Sequence, residues 1–495
     1  IVIVLIAPYS NGTTALQLAC LKGVYENAIT LLDFDASINR MDKEGNNALH
    51  YASKSQQNNH DIIELLSEEG IDINVQNQNG TTALQFACRK AVYENAEMLL
   101  YFGASINSTD KDNNNALHYA SRSKQVNQVV IKILTEKDID LNAQNKNGTT
   151  ALQIACLTGV CQNAKTLLDI GASINSTDQN NKNALHYASE SNQVNRDIIK
   201  MLTEKDIGLN AQNSSGTTAL QLACLKGVHE NAETLLDCGA CINIMDNDNK
   251  NALHYASASQ QNNQDIIKIL TEKGVDVNAQ NINGATALQL ACLSGVYENV
   301  KTLLDVGASI DIANSDKNNA LHYASESQQN NRDIIGLLIE KGIDVNVQNN
   351  FGTTALQVAC LQGVYENAKM LLDSSASVNI TNKDNNHVLH YASRSRKNNR
   401  DLIELLLTQE NIDVNVQNKH GITPLQFACL EGVYENVKVL LDSGASTDIM
   451  DKNDKNAFHY ASQSLGDNRN VKELLTEKST NNQGIQGANE GKEDD

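Results

Sequence analysis

Ten cysteines and eleven histidines are the residues of this chain best suited to nucleophilic, redox or metal chemistry. Their spacing decides how much of that chemistry to expect. Cys20, Cys88, Cys156, Cys224, Cys292, Cys360 and Cys429 fall 68 or 69 residues apart, and His50, His118, His186, His254, His322, His390 and His459 keep the same interval. A catalytic or metal site gathers different side chains at one point, whereas one residue type returning at a fixed interval points to a structural part. Cys238 and Cys241 form a C-x-x-C in "CGAC", the spacing of a dithiol or half a zinc site. The aligned positions elsewhere hold Phe34, Phe102 and Ile170, and Ser37 and Ser105. No second pair lies near enough in sequence to complete a tetrahedral site, so drift at two tolerant positions is the reading adopted. His387 and His390 form an i, i+3 pair, with His387 at a helix-cap position. No Walker loop, HExxH, nucleophile elbow or EF-hand loop occurs. An enzymatic reading has no residues to stand on, and neither metal nor cofactor is expected.

The interval is the stronger signal. "GTTALQ" begins at Gly12 and recurs at Gly80, Gly148 and Gly216, with close variants at Gly284, Gly352 and Gly421. Between these stands "ALHYAS", at Ala48, Ala116, Ala184, Ala252 and Ala320, becoming "VLHYAS" at Val388 and "AFHYAS" at Ala457. The unit is therefore double: two related modules per 68 residues, seven units, fourteen modules.

Each module reads as two short helices. In "GTTALQFACRKAVYENAEMLLYFGASIN" (80–107), Thr82 stands where an N-cap belongs. Leu84, Ala87 and Cys88 share one helical face. "RKA" breaks the helix, and a second follows with Ala96, Leu99 and Leu100 on one face. Gly103 is placed to end it in the left-handed conformation, and Asn- and Asp-rich turn segments follow. Modules of the second kind read alike, with Asn47 or Asn115 as N-cap. One such helix pair cannot hide its apolar face alone, so stacking must build the core.

These residues resemble the ankyrin repeat: turn, "G-x-T-x-L", short helix, "G-x-x-E", then "LL-x-x-GA-x-(I/V)-N". The resemblance covers roughly residues 11–478 and implies an all-α solenoid of stacked helix–turn–helix repeats with short β-hairpin or turn tips. It departs from the family in three places. Proline follows the cap only at Pro424; Gln17 and Gln85 replace the family's histidine; Asn27 and its counterparts replace an apolar residue of helix 2. These departures suggest a less idealised, less stable array. The resemblance makes the histidine ladder structural. The seven periodic cysteines lie two modules apart, about 16–20 Å at 8–10 Å per packed helix, beyond the roughly 7 Å a disulfide tolerates. They read as buried small filler, in the slot that Ser53 takes in modules of the second kind, and unpaired thiols favour a reducing compartment.

Positions that differ between copies are free of packing duty. The residue after "HYAS" reads Lys54, Arg122, Glu190, Ala258, Glu326, Arg394 and Gln463. The residue before the helix-1 break reads Lys22, Lys90, Thr158, Lys226, Ser294, Gln362 and Glu431. By resemblance these line the concave groove with which ankyrin arrays grip partners. Lys22, Lys54, Lys90, Arg122, Glu190, Lys226, Glu326 and Arg394 are the candidate partner-binding residues. "DVN" at 276–278 and 344–346 resembles ankyrin sites of asparaginyl hydroxylation, which makes Asn278 and Asn346 candidate modified residues.

The formal charge of −20 would repel phosphate backbones, so nucleic acid is not an expected partner. Proteins with basic or mixed-charge extended segments are. No apolar run is long enough for a transmembrane helix. Residues 1–10, with seven consecutive apolar residues and no initiator Met, read as a remnant cut upstream. Residues 11–478 form the array, and 479–495 read as a disordered polar tail. Ile63 recurs through Ile403 but is matched by Lys472 in the last module, as a polar terminal cap requires. The expected function is a non-enzymatic, cytoplasmic scaffold or adaptor for protein partners. The alternative is the regulatory ankyrin segment of a larger channel, ligase or toxin-like membrane-acting protein.

Overall fold

A computed structural model describes residues 9–464 and 468–489, with side chains as far as residue 479. The apolar segment 1–8 and residues 490–495 lie outside the described residues, and with them most of the expected remnant and the end of the expected tail. The described residues form 28 helices and no strands. They divide into two compact units, Ile1–Asn247 and Asp248–Asp495. Within each, first helices pack on first helices and second helices on second helices of the neighbouring modules.

The local signals act as their chemistry dictates. In the opening modules, α1 (Ala15–Lys22), α2 (Tyr25–Asp33), α3 (Ala48–Lys54) and α4 (His60–Glu68) make two pairs. Thr14 accepts from the Gln17 N–H at 3.3 Å, while the Gln17 amide oxygen accepts from the Thr14 N–H at 2.8 Å. This reciprocal capping box satisfies two otherwise orphaned donors. Asn47 and His50 form the same box on α3. α1 stops at Gly23, in the left-handed region at φ 71°. In the "RKA" copy Ala91 takes that conformation at φ 60°. The helix Tyr93–Tyr101 ends as expected at Gly103: its N–H donates to the Leu100 carbonyl at 3.2 Å, and the Ala104 N–H to Leu99 at 2.9 Å.

Leu84, Ala87, Cys88, Ala96 and Leu99 are buried, and Leu100 is half-buried. The isoleucine column is fully buried at Ile63, Ile131 and Ile199 in one unit, and at Ile267, Ile335 and Ile403 in the other. Each such side chain contributes about 1.5–3 kcal/mol through burial. Lys472, at the aligned position of the last module, is exposed. The last helix runs Arg469–Asn489, so the backbone of 479–489, assigned by composition to the polar tail, continues it.

The tips are turns rather than strand hairpins. Among the described residues one isolated bridge, Gln280 with Thr286, stands in place of a ladder. The reason is that side chains satisfy the turn: Asn77 Oδ1 accepts from the Asn79 and Thr81 N–H groups at 3.0 and 2.9 Å. Successive tips then meet backbone to backbone, as when the Lys111 N–H donates to the Asn79 carbonyl at 2.9 Å. That approach explains Gly80. Its φ is +75°, and a Cβ there would stand 3.0 Å from the Lys111 nitrogen.

Candidate functional site

The histidine ladder is consumed by architecture. His50 is buried; its Nε2–H donates to the Thr81 carbonyl at 3.0 Å, and its Nδ1 accepts from the Asn47 N–H at 3.2 Å. Burial draws its pKa down to about 4, so the ring is neutral near pH 7. Gln85 performs the equivalent task in a first-kind module. Its Nε2 donates to the carbonyls of Ser108 and Asn114 at 2.9 and 3.0 Å. Glutamine in the histidine slot therefore keeps the tie from each first helix to the turn opening the next module.

The seven periodic cysteines are buried, and none is in a disulfide. Burial pushes Cys20 up to about 12 and raises Cys88, Cys156, Cys224, Cys292 and Cys360 as well, so these are thiols, not nucleophilic thiolates. Cys238 caps the helix His229–Asp237 and accepts from the Thr203 hydroxyl at 3.4 Å, and Cys241 is exposed. Among the described residues no group of three or more His, Cys, Asp or Glu side chains is arranged to hold a metal ion. Burial alone would raise the Asp42 pKa. Hydrogen bonds from Asn46, Tyr51 and Glu44 outweigh it and hold the carboxyl below the usual range.

The asparagines of helix 2, which the sequence marked as departures, turn out to be interlocks. Asn95 is buried; its Oδ1 accepts from the Asn59 N–H at 2.7 Å, and its Nδ2 donates to the Gln57 carbonyl at 3.0 Å. Asn59 in turn donates from Nδ2 to the carbonyls of Cys20 and Ala52, both at 2.9 Å. Three successive modules are thereby joined through two amides. The pattern recurs at Asn127 with Asn163 and Asn195 with Asn231, and in the second unit at Asn331 with Asn367 and Asn399 with Asn436. Its sequence signal was available: an amide returning at a helix position that should be apolar.

The copy-variable positions fall at or just beyond the C-terminal ends of first helices. Lys22 is exposed, and Lys90, Arg122 and Lys226 are half-buried. Lys54 is not free: its ammonium lies 4.5 Å from the Phe86 ring centre, and burial lowers its pKa. Glu190 is held 2.7 Å from Lys182 Nζ. In the second unit Glu326 is exposed, and the exposed Arg394 lies over Phe427 at 5.6 Å. Thr158 and Ser294 are tied inward, donating to the carbonyls of Ser121 and Ser257 at 3.1 and 3.2 Å. The ring partners Phe86 and Phe427 escaped the sequence reading, although each replaces an aliphatic residue found in the other copies. Asn278 and Asn346 are half-buried, their Oδ1 atoms accepting from Ser309 at 2.9 Å and Ser377 at 2.8 Å. Among the described residues no helix is long and apolar enough to cross a membrane.

The family model "Ankyrin repeats (3 copies)" matches residues 1–77, 55–145, 126–213, 195–281, 258–349, 327–418 and 389–484. Human transient receptor potential cation channel subfamily A member 1 is 28% identical over 500 residues, covering 89% of this chain and 44% of the channel protein. The E3 ubiquitin-protein ligase KEG of Arabidopsis thaliana is 24% identical, covering 68% of this chain and 21% of the ligase. The mouse B-cell lymphoma 3 protein homolog is 30% identical over 212 residues, covering 41% of this chain and 46% of that protein. The chain thus spans less than half the length of these relatives. With helix pairs, capping boxes and turn-to-helix ties repeating at the matched period, the chain belongs to the ankyrin-repeat family.

Proposed function

We propose that this chain is a non-enzymatic binding module that grips an extended, mixed-charge segment of a partner protein along the face formed by its first-helix ends. One observation carries the reading. The periodic reactive side chains are buried or bonded internally, while the varying residues after "HYAS" and before the helix-1 break stand at the first-helix ends in each unit. Long arrays gain affinity by adding weak contacts along such a face. Lys22, Lys90, Arg122, Lys226, Glu326 and Arg394 are the residues assigned to the partner, with Lys54 and Glu190 pre-positioned beside them. Seven buried cysteines outside any disulfide favour a reducing, cytoplasmic setting. Asn278 and Asn346 are proposed hydroxylation sites, and absence of a +16 mass shift on both in native material would remove that proposal. The main test is affinity capture with Arg122→Glu and Arg394→Glu. Loss of captured partners supports the reading; an unchanged set refutes it.

A second reading is that the array regulates a larger protein. The channel and the ligase favour it, since this chain aligns with only 44% and 21% of their lengths. The native polypeptide's mass decides: a band well above 53.9 kDa supports this reading, and one at that mass removes it.

A further inference from the structure

In the first unit a hydroxyl relay ends on a carboxylate. Tyr51 donates to Asp42 at 2.7 Å and lies 2.9 Å from the Thr13 hydroxyl. Tyr119 with Asp110 and Thr81, and Tyr187 with Asp178 and Thr149, repeat the arrangement. At residue 382 an asparagine replaces the aspartate. Its Oδ1 accepts from the N–H groups of Asp384 and Asn386 at 2.9 and 2.8 Å, which fixes the amide's orientation. Its Nδ2 therefore donates to the Tyr391 hydroxyl at 2.8 Å. The relay is reversed at this end: Tyr391 accepts where its counterparts donate, with the Thr353 hydroxyl 3.0 Å away. A negative charge has left the site and an N–H donor has taken its place.

This reversal lies in a hollow of about 90 Å³ lined by Asn382, Asp384, Tyr391, Arg394 and Phe427, with the neutral His390 also in its wall. The acids beside it are already engaged. Asp384 faces Lys419 at 3.8 Å, and Glu431 faces Arg396 at 3.1 Å. Arg394 is exposed and has no ion pair among the described residues. The Phe427 ring beneath its guanidinium holds it in place. The result is one positive charge without an ion pair beside an oriented amide, on a chain of net charge −20.

We propose that Arg394 and the Asn382 amide, over Phe427, form a subsite for a carboxylate side chain of the partner. The proposal rests on the reading that partners bind the first-helix face. A guanidinium presents paired N–H donors that match a carboxylate. The corresponding site around Lys54 keeps Asp42 where this one has Asn382, and that carboxylate would repel one.

The test uses the full chain with isotope-labelled arginine side chains. It is titrated at low salt with acetyl-Gly-Gly-Glu-Gly-Gly-amide and with the same peptide carrying Gln for Glu. The Glu peptide should shift the Arg394 Nε–H resonance with a Kd at least threefold tighter than its twin. Arg394→Gln should abolish that preference, and Asn382→Asp, which restores the residue type found at 42, 110 and 178, should cut it below twofold. Equal affinity for the twins, or a preference surviving Arg394→Gln, overturns the subsite. Partner capture separates the two ideas: partners cross-linked to first-helix ends while the twins bind alike leave the general reading standing and remove only the subsite.

Discussion

Replacing Asn163 with valine brings the helix-2 position closer to the family's apolar habit, and by pattern alone this should stabilise the array. The structure requires the opposite. Asn163 is fully buried; its Oδ1 accepts from the Asn127 N–H at 2.7 Å, and its Nδ2 donates to the Gln125 carbonyl at 3.0 Å. Valine can serve neither group. Each buried polar group left unsatisfied costs about 1–3 kcal/mol, and the added apolar contact returns roughly 1 kcal/mol. A net destabilisation of about 2 kcal/mol or more is expected. Stacked repeats need not unfold in one step. The assay therefore pairs urea midpoints from circular dichroism with hydrogen exchange at the Asn127 amide, which should quicken roughly 30-fold per 2 kcal/mol. Asn27→Val is the internal control. Asn27 is the same residue in the first module, but it is exposed and makes no side-chain hydrogen bond among the described residues, so its replacement should change little. If Asn163→Val matches or exceeds the parent in urea, the interlock argument is wrong.

Three further outcomes are expected. His50 and His390 of the ladder are buried and neutral, with pKa values drawn from 6.5 to about 4. The unfolded chain therefore takes up protons first, and stability falls as pH drops from 6.5 towards 4, by on the order of 3 kcal/mol for each. His50→Gln should flatten this slope, as read from urea midpoints at pH 7 and 4.5. The Ser121 hydroxyl is buried without a hydrogen-bond partner, so Ser121→Ala should raise stability by about 1 kcal/mol in thermal melts; a loss would show that the hydroxyl is satisfied in solution. Ala91 holds a left-handed conformation that glycine takes in the other copies, so Ala91→Gly should stabilise by about 1 kcal/mol in urea, with Gly159→Ala giving a loss of similar size.

The fold was legible because it is local and repeated. A threonine or asparagine before "AL", a glycine after eight helical residues and an apolar stripe each act within a few positions, and fourteen copies average out the noise of any one. The helix-2 asparagines were misread for the complementary reason. Their partners, Asn59 and Gln57 for Asn95, lie 36 and 38 residues away, and a propensity argument prices an amide without knowing that a backbone N–H awaits it. The tips were expected as hairpins or turns; side-chain acceptors such as Asn77 Oδ1 made them turns. The candidate binding face was legible as a set of varying residues, but not their states. Nothing in the sequence says that Lys54 rests on Phe86 or that Glu190 is held by Lys182.

The amino-acid sequence by itself determined the module, its period, its caps and the positions free to vary, since these depend on neighbours a turn or a repeat away. Tertiary structure alone decided which polar groups are spent inside the stack and which remain for a partner. A hydrogen bond is settled by the position and orientation of its second member. At Asn382 the direction of one amide, fixed by two backbone N–H groups, turns an acceptor-ended relay into a donor-ended one.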